Sequence, residues 1–517
     1  MKKIFNFCLM TLFFLCVTSC DKGFDDLNTS KTLATSLNPI FVLNAATINS
    51  SPGGVNPGIA TAALTYDMAI VQQMITSNSG LQVGGNFNQV NINNTPLTWQ
   101  NYFQNVIRYT DDVITNTKND PTRANLYNMA RILQANAYLI LTDTYGNIPY
   151  TQGGQGYNGL IFFPAYDTQE SIYPKIIQEL EDATGALDPA GKIETADVLY
   201  SGDISKWKKF GYSLLLRAGM HLTEVDAAVA QSAVSAAFTG GVILTNADNA
   251  IIKHDANYQN GIGNIVNGTE AANFYLTEPF VNALKSSNDP RLSSIAVRYV
   301  GATSGSGQVA AAGDTVPSHQ YGMPMGSDDA SAQNAAVAAG LGSRYAYSQA
   351  DRNRILKRTS PMFIVTAAQT NLLLAEAAAR GWIAGGNVAA SAFFATGIRA
   401  DMDKMATYDA AAAISATKRD TYVTANPLDV SSISASIQQI AYQYWIASFL
   451  HGPEAWANFR RTGFPTLTPN PYPGKSVVFI TRITYPPSEI LVNSANVQAA
   501  ISEMGGDNLD TKVWWDK

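Results

Sequence analysis

The residue types that most often carry out catalysis or bind metals are scarce in this sequence. Its four histidines are far apart along the chain, and no HExxH pattern or His/Cys/Asp cluster surrounds them. They are His221, His254, His319 and His451. The spacing indicates scattered core or surface imidazoles, so we expect neither a metal site nor a bound cofactor.

Two stretches match binding motifs in part but lack the surroundings that those motifs need. Residues 154–159 (GQGYNG) fit GxGxxG, yet Pro164 soon follows and disfavours the helix that a dinucleotide site requires. Residues 255–266 begin like a calcium loop, but Asn260 replaces the turn glycine and Val266 replaces the bidentate carboxylate. Neither stretch predicts a nucleotide or calcium site.

Carboxylate pairs are the remaining candidates for catalysis. Asp111/Asp112 and Asp328/Asp329 could serve a glycoside hydrolase, which needs two carboxylates about 5–10 Å apart. Adjacent acids in helices or loops are usually just solvated, and no GxSxG nucleophile motif occurs. The sequence therefore favours a protein that is not an enzyme, with a glycoside hydrolase as the alternative.

Aromatic and amide side chains are abundant instead, and they are dense in long polar loops, where function is usually found. An aromatic ring can stack on the apolar face of a sugar, while amides donate to and accept from its hydroxyls. The candidate ligand contacts are Gln82, Asn86, Phe87 and Asn88 in loop 78–98, Tyr258 and Asn260 in loop 253–273, and Tyr321, Tyr345 and Tyr347 in the 300–350 insertion. The alternative is that these side chains only pin long loops to the scaffold.

The first twenty residues have the layout of a secretory signal. Two lysines precede an apolar run of about 14 residues, which is shorter than the ~20 residues of a membrane-spanning helix. The segment ends in VTSC and resembles a bacterial lipobox. Cys8 and Cys16 would be removed with the signal peptide, residues 1–19, so Cys20 would be the only remaining thiol. We therefore expect Cys20 to be lipidated.

The remainder of the sequence reads as one domain on a short tether. Residues 20–37 contain the lipidated Cys20 and a polar, turn-rich tether, and residues 38–517 form the domain. Removal of the two signal-peptide lysines moves the net charge from −6 to −8. An acidic chain without a basic stripe is a poor partner for nucleic acid.

Within that domain, apolar residues at spacings of three and four predict a series of helices. The predicted helices cover 39–49, 58–77, 99–119, 124–144, 169–187, 205–222, 227–238, 362–380, 389–405 and 433–450. Long polar loops lie between them, at 78–98, 145–167, 253–273 and 300–350. Because loops of this length are usually functional, the pattern predicts a mainly α protein with elaborate ligand-binding loops.

Several segments also carry a family resemblance. They are FDDLN at 24–28, DTYGNIPY at 143–150, WKKFGYSLLLRA at 207–218, LLLAEA at 372–377, GPEAWANFRRTG at 452–463 and RITYPPSE at 482–489. Each motif alone is weak, but their shared order resembles the SusD/RagB family of outer-surface lipoproteins, and more closely its SusD-like branch in Bacteroidetes-type bacteria. The resemblance spans essentially the whole mature chain.

The resemblance implies a scaffold of TPR-like helical hairpins with a loop-rich variable half. It also implies an outer-membrane lipoprotein that faces the exterior, covers a SusC-like TonB-dependent barrel and delivers a glycan to it. Family ligand contacts tend to come from the loop after the second helix and from the central insertion. The alternatives are a peptide ligand, a lipid-anchored glycoside hydrolase, or a structural partner that seals the barrel and binds no ligand well.

Arg460 and Arg461, beside Trp456, have two interpretations. They could form a clamp for a carboxylate or a sugar. An arginine pair at a helix end near a tryptophan is more often structural, with one guanidinium packed or ion-paired, and we favour that interpretation.

Overall fold

Helices make up most of the described chain, as the apolar spacings predict. The computed structural model describes residues 37–51, 54 and 56–517. The predicted signal peptide, Cys20 and the tether up to residue 36 lie outside the described residues. Pro39–Lys517 clusters into one compact unit.

The helices before residue 300 build the first part of the scaffold. They are α1 (Pro39–Asn49), α2 (Pro57–Ala62), α3 (Met68–Ile70), α4 (Pro96–Asn101), α5 (Arg108–Thr117), α6 (Ala124–Tyr145), α7 (Gln169–Gly185), α8 (Ile204–His221), α9 (Ala227–Gly240), α10 (Gly261–Val266), α11 (Glu278–Ser286) and α12 (Arg291–Ile295). Two π-helical turns, Ala63–Asp67 and Tyr102–Ile107, join α2 to α3 and α4 to α5.

The later helices complete the scaffold. They are α13 (Asp329–Ala338), α14 (Ala367–Ala379), α15 (Gly386–Tyr408), α16 (Ala416–Ala425), α17 (Ile433–Ala447), α18 (Gly452–Thr462), α19 (Pro487–Val492) and α20 (Ser494–Met504). Consecutive helices pack as hairpins: α5 with α6, α7 with α8, α8 with α9, and α14 with α15. Since α14 also contacts α8 and α17, one helical scaffold runs through both halves. This confirms the predicted mainly α hairpin architecture.

Short antiparallel strands connect the loops to this scaffold. The strands are β1 (Met74–Thr76), β2 (Ala250–Ile252), β3 (Phe274–Leu276), β4 (Ala296–Tyr299), β5 (Gly313–Asp314), β6 (Gln349–Ala350) and β7 (Met362–Val365). β1 pairs with β3, β2 pairs with β7, and β4 lies between β5 and β6. The β4–β5–β6 sheet ties both ends of the central insertion together.

Two predicted helices are wrong at one end, and both errors have the same cause. The helix predicted for 58–77 stops at Ile70, because Gln72 adopts a left-handed backbone (φ 56°) and the chain continues as β1. The helix predicted for 362–380 begins only at Ala367, after β7. A short buried strand cannot be distinguished from a buried helical turn by apolar spacing alone.

Two predicted loops are also more ordered than expected. The 300–350 insertion contains β5, β6 and α13, and loop 253–273 contains α10. The helix α13 has a capping box formed by Asp328 and Ser331, which satisfies backbone groups at its first turn. The helix α10 has only six residues, and α13 buries only two alanines, so neither shows a clear apolar periodicity in the sequence.

Capping residues set the ends of the central helices. Asp203 accepts a hydrogen bond from the Lys206 amide and caps the start of α8. α6 ends at Tyr145, and Gly146 then takes a φ of +79°, a conformation that glycine adopts without strain. The motif at 143–150 therefore shapes a helix-ending turn.

Candidate functional site

Loop 78–98 is docked onto the central insertion through Asn86. The Asn86 side chain is 1% exposed; its Nδ2 donates to the carbonyls of Thr76 and Ser327 (2.8 and 2.9 Å), and its Oδ1 accepts from the Gly326 amide (2.9 Å). A buried amide with all of these partners is a structural support. Two of the predicted ligand-binding loops therefore converge, and Asn86 is what joins them.

Phe87 and Asn88 fasten the same loop to a third segment. The Phe87 ring stacks on Tyr472 with centroids 3.7 Å apart and planes 3° apart. Asn88, in a left-handed conformation (φ 48°), donates to the Val478 carbonyl (2.7 Å). Phe87 and Asn88 are buried, whereas Tyr472 is half-buried. The ring presented to solvent at this point is therefore that of Tyr472.

Asn260 and Tyr347 also lie in the interior. Asn260 accepts from the Gly263 amide (2.8 Å) as the cap of α10 and donates to the Ser360 carbonyl (2.9 Å). Tyr347 belongs to a small apolar cluster beneath the insertion, together with Ile75 and Met323. Asn260 supports the loop-pinning interpretation because its side-chain amide is satisfied within the chain, and Tyr347 supports it because the residue is buried in that cluster. That they contact a ligand remains only a prediction.

A second junction between the same loops is partly open to solvent: the Asp329 side chain is 45% exposed, whereas the Arg344 side chain is 14% exposed and Ser77 is buried. The Ser77 hydroxyl donates to Asp329 (2.7 Å), and Arg344 pairs with Asp329 (3.0 Å). The Arg344 guanidinium lies 4.4 Å from the centroid of the Tyr345 ring and donates to the Tyr345 hydroxyl (3.0 Å). We name Ser77, Asp329, Arg344 and Tyr345 the loop platform. It combines a half-buried ring with a carboxylate and a planar cation that can bond hydroxyl groups.

Gln82 lies in the turn that follows Ser77. The backbone N–H of Gln82 donates to the Asn78 carbonyl (2.9 Å). The Gln82 side chain is partly exposed, yet its Oε1 is buried and has no hydrogen-bond partner within the described residues. Of the predicted residues, Tyr345 is the one that belongs to the loop platform, and no hydrogen bond within the described residues joins Gln82 to it.

Tyr258 and Tyr321 are exposed but belong to other surroundings. Tyr258, 56% exposed, sits in a turn where Asp255 accepts from its amide (2.8 Å). Tyr321 is 39% exposed, and Lys285 and Arg298 lie 4.7 and 5.5 Å from its ring centroid. Across residues 37–51, 54 and 56–517, no hydrogen bond or ring contact joins either tyrosine to the loop platform.

The candidate carboxylate pairs are engaged in local structure. Asp328 caps α13, and the hydrogen bonds from the Ser331 side chain and amide lower the pKa of its carboxyl. Asp329 is held by Arg344 and Ser77. Burial raises the pKa of Asp111, which accepts a hydrogen bond from Asn158 (2.8 Å). These contacts explain the acids as structural groups.

A charged cluster does occur in the core, beneath α8. His221 lies between Asp143 (3.1 Å) and Glu454 (3.4 Å), and Arg217 also pairs with Glu454 (3.1 Å). All four side chains are buried. In the part of the chain that the structure describes, no three His, Cys, Asp or Glu side chains are grouped to hold a metal ion. The cluster therefore joins helices within the core.

The arginine pair near the C-terminus is structural, as favoured above. Arg461 forms a two-point pair with Glu376 (2.6 and 2.7 Å). The Arg460 guanidinium is sandwiched between Trp456 and Trp515, at 3.9 and 4.6 Å from their centroids. Buried guanidiniums held in this way fix the packing of α18.

Arg344, Asp329 and Tyr472 were not among the predicted ligand contacts. A tyrosine within Pro471, Pro473 and Gly474 was a usable signal for an exposed aromatic turn. No local sequence pattern marked Arg344 as a site residue, because its partner Asp329 is fifteen residues away and Ser77 is still more distant.

Scaffold and surface together define the class of protein: a helical scaffold whose long loops converge and present aromatic and polar side chains to solvent. The chain belongs to the SusD-like family. Its residues 31–486 match the family model described as starch-binding and associating with the outer membrane. Among the described residues, every helix is too short or too polar to cross a bilayer.

Solved structures agree with this membership. A chitin-binding protein is 29% identical with a TM-score of 0.80, covering 93% of this chain and 100% of that one. A SusD-like protein from Bacteroidetes is 27% identical, also with a TM-score of 0.80 and the same coverage, 93% and 100%. A chitin-binding SusD homologue from Flavobacterium johnsoniae shares the fold at 24% identity, a TM-score of 0.71 and coverage of 93% and 97%. No curated protein matches the chain.

Proposed function

We propose that this protein is a cell-surface lipoprotein of the outer membrane that binds an oligosaccharide and delivers it to a SusC-like TonB-dependent barrel. Lipidated Cys20 and the tether to residue 37 would anchor a single binding domain, residues 38–517. The family description supports starch or a related glycan, and the chitin-binding relative supports a glycan of N-acetylglucosamine. The protein would bind its ligand without altering it.

The loop platform is the observation that carries the glycan proposal. A sugar ring offers one flat apolar face and a rim of hydroxyls. Tyr345 supplies a ring that Arg344 holds in place, and Arg344 and Asp329 supply donors and acceptors beside it. Because Ser77 and Asn86 tie the two loops together, the platform is organised before a ligand arrives, which lowers the entropy lost on binding.

Isothermal titration of the mature protein with chitin and starch oligosaccharides tests this proposal. We expect Tyr345→Ala to weaken binding about tenfold, the effect of losing one aromatic contact of about 1.4 kcal/mol. Tyr127→Ala is a matched control, because Tyr127 on α6 is also a half-buried tyrosine with an arginine over its ring. The Arg131 guanidinium lies 5.2 Å from the centroid of that ring. The Tyr127→Ala variant should bind the oligosaccharides with the affinity of the unaltered protein.

The rival functions give different results in the same preparation. Binding to a peptide pool but to no glycan would support the peptide alternative. Release of shorter sugars from a polysaccharide would establish a glycoside hydrolase. If the protein binds neither glycan nor peptide yet co-purifies with the barrel, the structural-partner alternative is correct and the glycan proposal is wrong.

An exposed apolar surface supports the proposed docking to the barrel. Asn493 donates to the Pro164 carbonyl (2.8 Å) and Asn496 donates to the Phe163 carbonyl (3.1 Å), so loop 157–163 is held against the corner between α19 and α20. The apolar side chains of this surface, 61–84% exposed, are Tyr157, Leu160, Phe162, Phe163, Leu491 and Val492. Clustered exposed apolar side chains of this kind often mark an interface.

We assign this apolar surface to the barrel rather than to lipid. Asp111, bonded to Asn158 (2.8 Å), and Glu489, bonded to Tyr166 (3.1 Å), flank it. These acids would be repelled by anionic headgroups. Co-purification tests the assignment: Phe162→Ser with Phe163→Ser should release the barrel, whereas Val388→Ser, at an 82% exposed position on α15, should not. Retention of the barrel by the double variant would refute it.

A further inference from the structure

Two adjoining cavities form one trough in the C-terminal half. The first, of about 590 Å³, lies between α11, α17 and the segment 464–467, and the second, of about 570 Å³, lies between α11 and α16. Ser287, Tyr422 and Asn426 line both cavities, so the two are continuous. We name this trough the α16–α17 groove. Each cavity falls within the size range of small-molecule sites, roughly 300–1,000 Å³.

The lining of the first cavity is aromatic, amide-rich and almost uncharged. Tyr422, Tyr442, Trp445 and Phe464 contribute rings. Among the described residues that line it, Asp429 is the only charged one. A charged ligand would lose its hydration on binding, and this lining offers few opposite charges to compensate for that cost. Aromatic faces beside amides and one carboxylate acceptor suit a neutral molecule with many hydroxyls.

The Tyr422 ring is held rigidly from behind. The Gln443 amide donates to the Tyr422 hydroxyl (3.1 Å), and Gln443 itself accepts from Arg291 (2.6 Å). Arg291 is fully buried and paired with Asp289 and Asp401. The groove wall is therefore fixed by a buried ion network, which preorganises it for binding.

Other polar groups of the groove have spare hydrogen-bonding capacity. Gln438 is exposed, and its side chain makes no hydrogen bond within the described part of the chain. Gln439 accepts from the Asp429 amide (2.6 Å), and its own amide nitrogen has no partner among residues 37–51, 54 and 56–517. These donors are available to ligand hydroxyls.

The second cavity extends towards the central insertion. Lys285, Asp289 and Lys418 line it, so the almost uncharged lining is confined to the first cavity. The Lys285 ammonium lies 4.7 Å from the centroid of the exposed Tyr321 ring. The groove thus passes from residues 464–467 to one of the predicted ligand-binding tyrosines. It shares no residue with the loop platform.

From these observations we propose that the α16–α17 groove is a second binding site for a neutral oligosaccharide, separate from the loop platform. The inference rests on the proposed glycan-binding function and deepens it: one protein would hold a long glycan at two places. The half-buried Tyr442 would provide the stacking face, the buried Tyr422 would form the wall beside it, and Gln438, Asn426 and Asp429 would bond the hydroxyl rim.

Titration of the full mature chain with an N-acetylglucosamine hexamer and with maltoheptaose tests the second site. Ser287→Trp places a bulky ring where the two cavities meet, and we expect the stoichiometry to fall from two to one. Asn426→Ala with Gln438→Ala should weaken the second binding event about tenfold without filling the groove. Val388→Trp, on an exposed face of α15, is the matched control and should bind as the unaltered protein does.

Hydrogen exchange provides an independent measurement on the unaltered protein. Either oligosaccharide should slow exchange in α16 and α17 as well as in the platform loops. If the protein binds a glycan but the groove variants and the exchange of both helices show no effect, the second site is refuted while the proposed function stands. If the unaltered protein binds no glycan, both proposals are wrong.

Discussion

The buried histidine of α8 should make the stability of this protein depend on pH in the alkaline range. Burial lowers the pKa of His221, but the Asp143 and Glu454 carboxylates outweigh that effect and raise it to about 9. The imidazolium is therefore the folded-state form at neutral pH. It acts as a cation between two buried anions, and Tyr173 lies 3.1 Å from its Nδ1.

The size of the effect follows from the pKa change. One pKa unit corresponds to about 1.4 kcal/mol, so a rise from 6.5 to about 9 corresponds to roughly 3 kcal/mol of free energy of unfolding. Because the folded-state pKa is raised, this contribution is fully present below pH 6.5. It is lost as the pH rises through about 9, where the folded protein also releases the proton.

Urea unfolding at pH 6 and pH 10 measures this contribution. At each pH, the free energy of unfolding of His221→Gln is subtracted from that of the unaltered protein. This difference should be about 3 kcal/mol larger at pH 6 than at pH 10. His319→Gln is the matched control, because His319 pairs with Asp314 while its side chain is 54% exposed, and such a pair is screened by solvent. A difference between His221→Gln and the unaltered protein that does not change with pH would refute the reasoning.

Three further predictions concern the core, the loops and the anchor. Glu376→Gln should lower the free energy of unfolding by about 3–5 kcal/mol, because the buried Arg461 would keep its charge without the carboxylate that pairs with it at two points. Urea unfolding measures this loss, and a loss of less than 1 kcal/mol would contradict the prediction. Phe87→Leu removes the stack on Tyr472 but keeps an apolar side chain, so it should speed hydrogen exchange in loop 78–98 by about fivefold, the effect of losing about 1 kcal/mol of ring contact. Unchanged exchange would show that the stack does not hold the loop. Cys20→Ala should move the protein from the membrane fraction to the soluble fraction and abolish labelling by a fatty-acid analogue; a labelled variant would disprove lipidation at Cys20.

Local features of this fold could be predicted from neighbouring residues. The helix predicted for 39–49 coincides with α1, and the helix predicted for 124–144 differs from α6 by one residue at its end. These features depend on residues three or four positions apart, which a sequence displays directly. The strands β1 and β7 were missed at the ends of predicted helices, because pairing with β3 and β2 selects the strand, and those partners are remote along the chain.

The sequence by itself determined the mainly helical scaffold and the family, since helical periodicity and the order of motifs are both written along one chain. Only the tertiary structure decided which of the aromatic and amide residues face solvent. Asn86 is buried because Ser327 lies beside it, 241 positions further on, and Arg344 pairs with Asp329 because α13 and the turn after it bring the two side chains together. The α16–α17 groove likewise exists only where Ser287 and Tyr422 come together. Burial depends on what packs against a side chain, and for loop residues the packing partners come from distant segments.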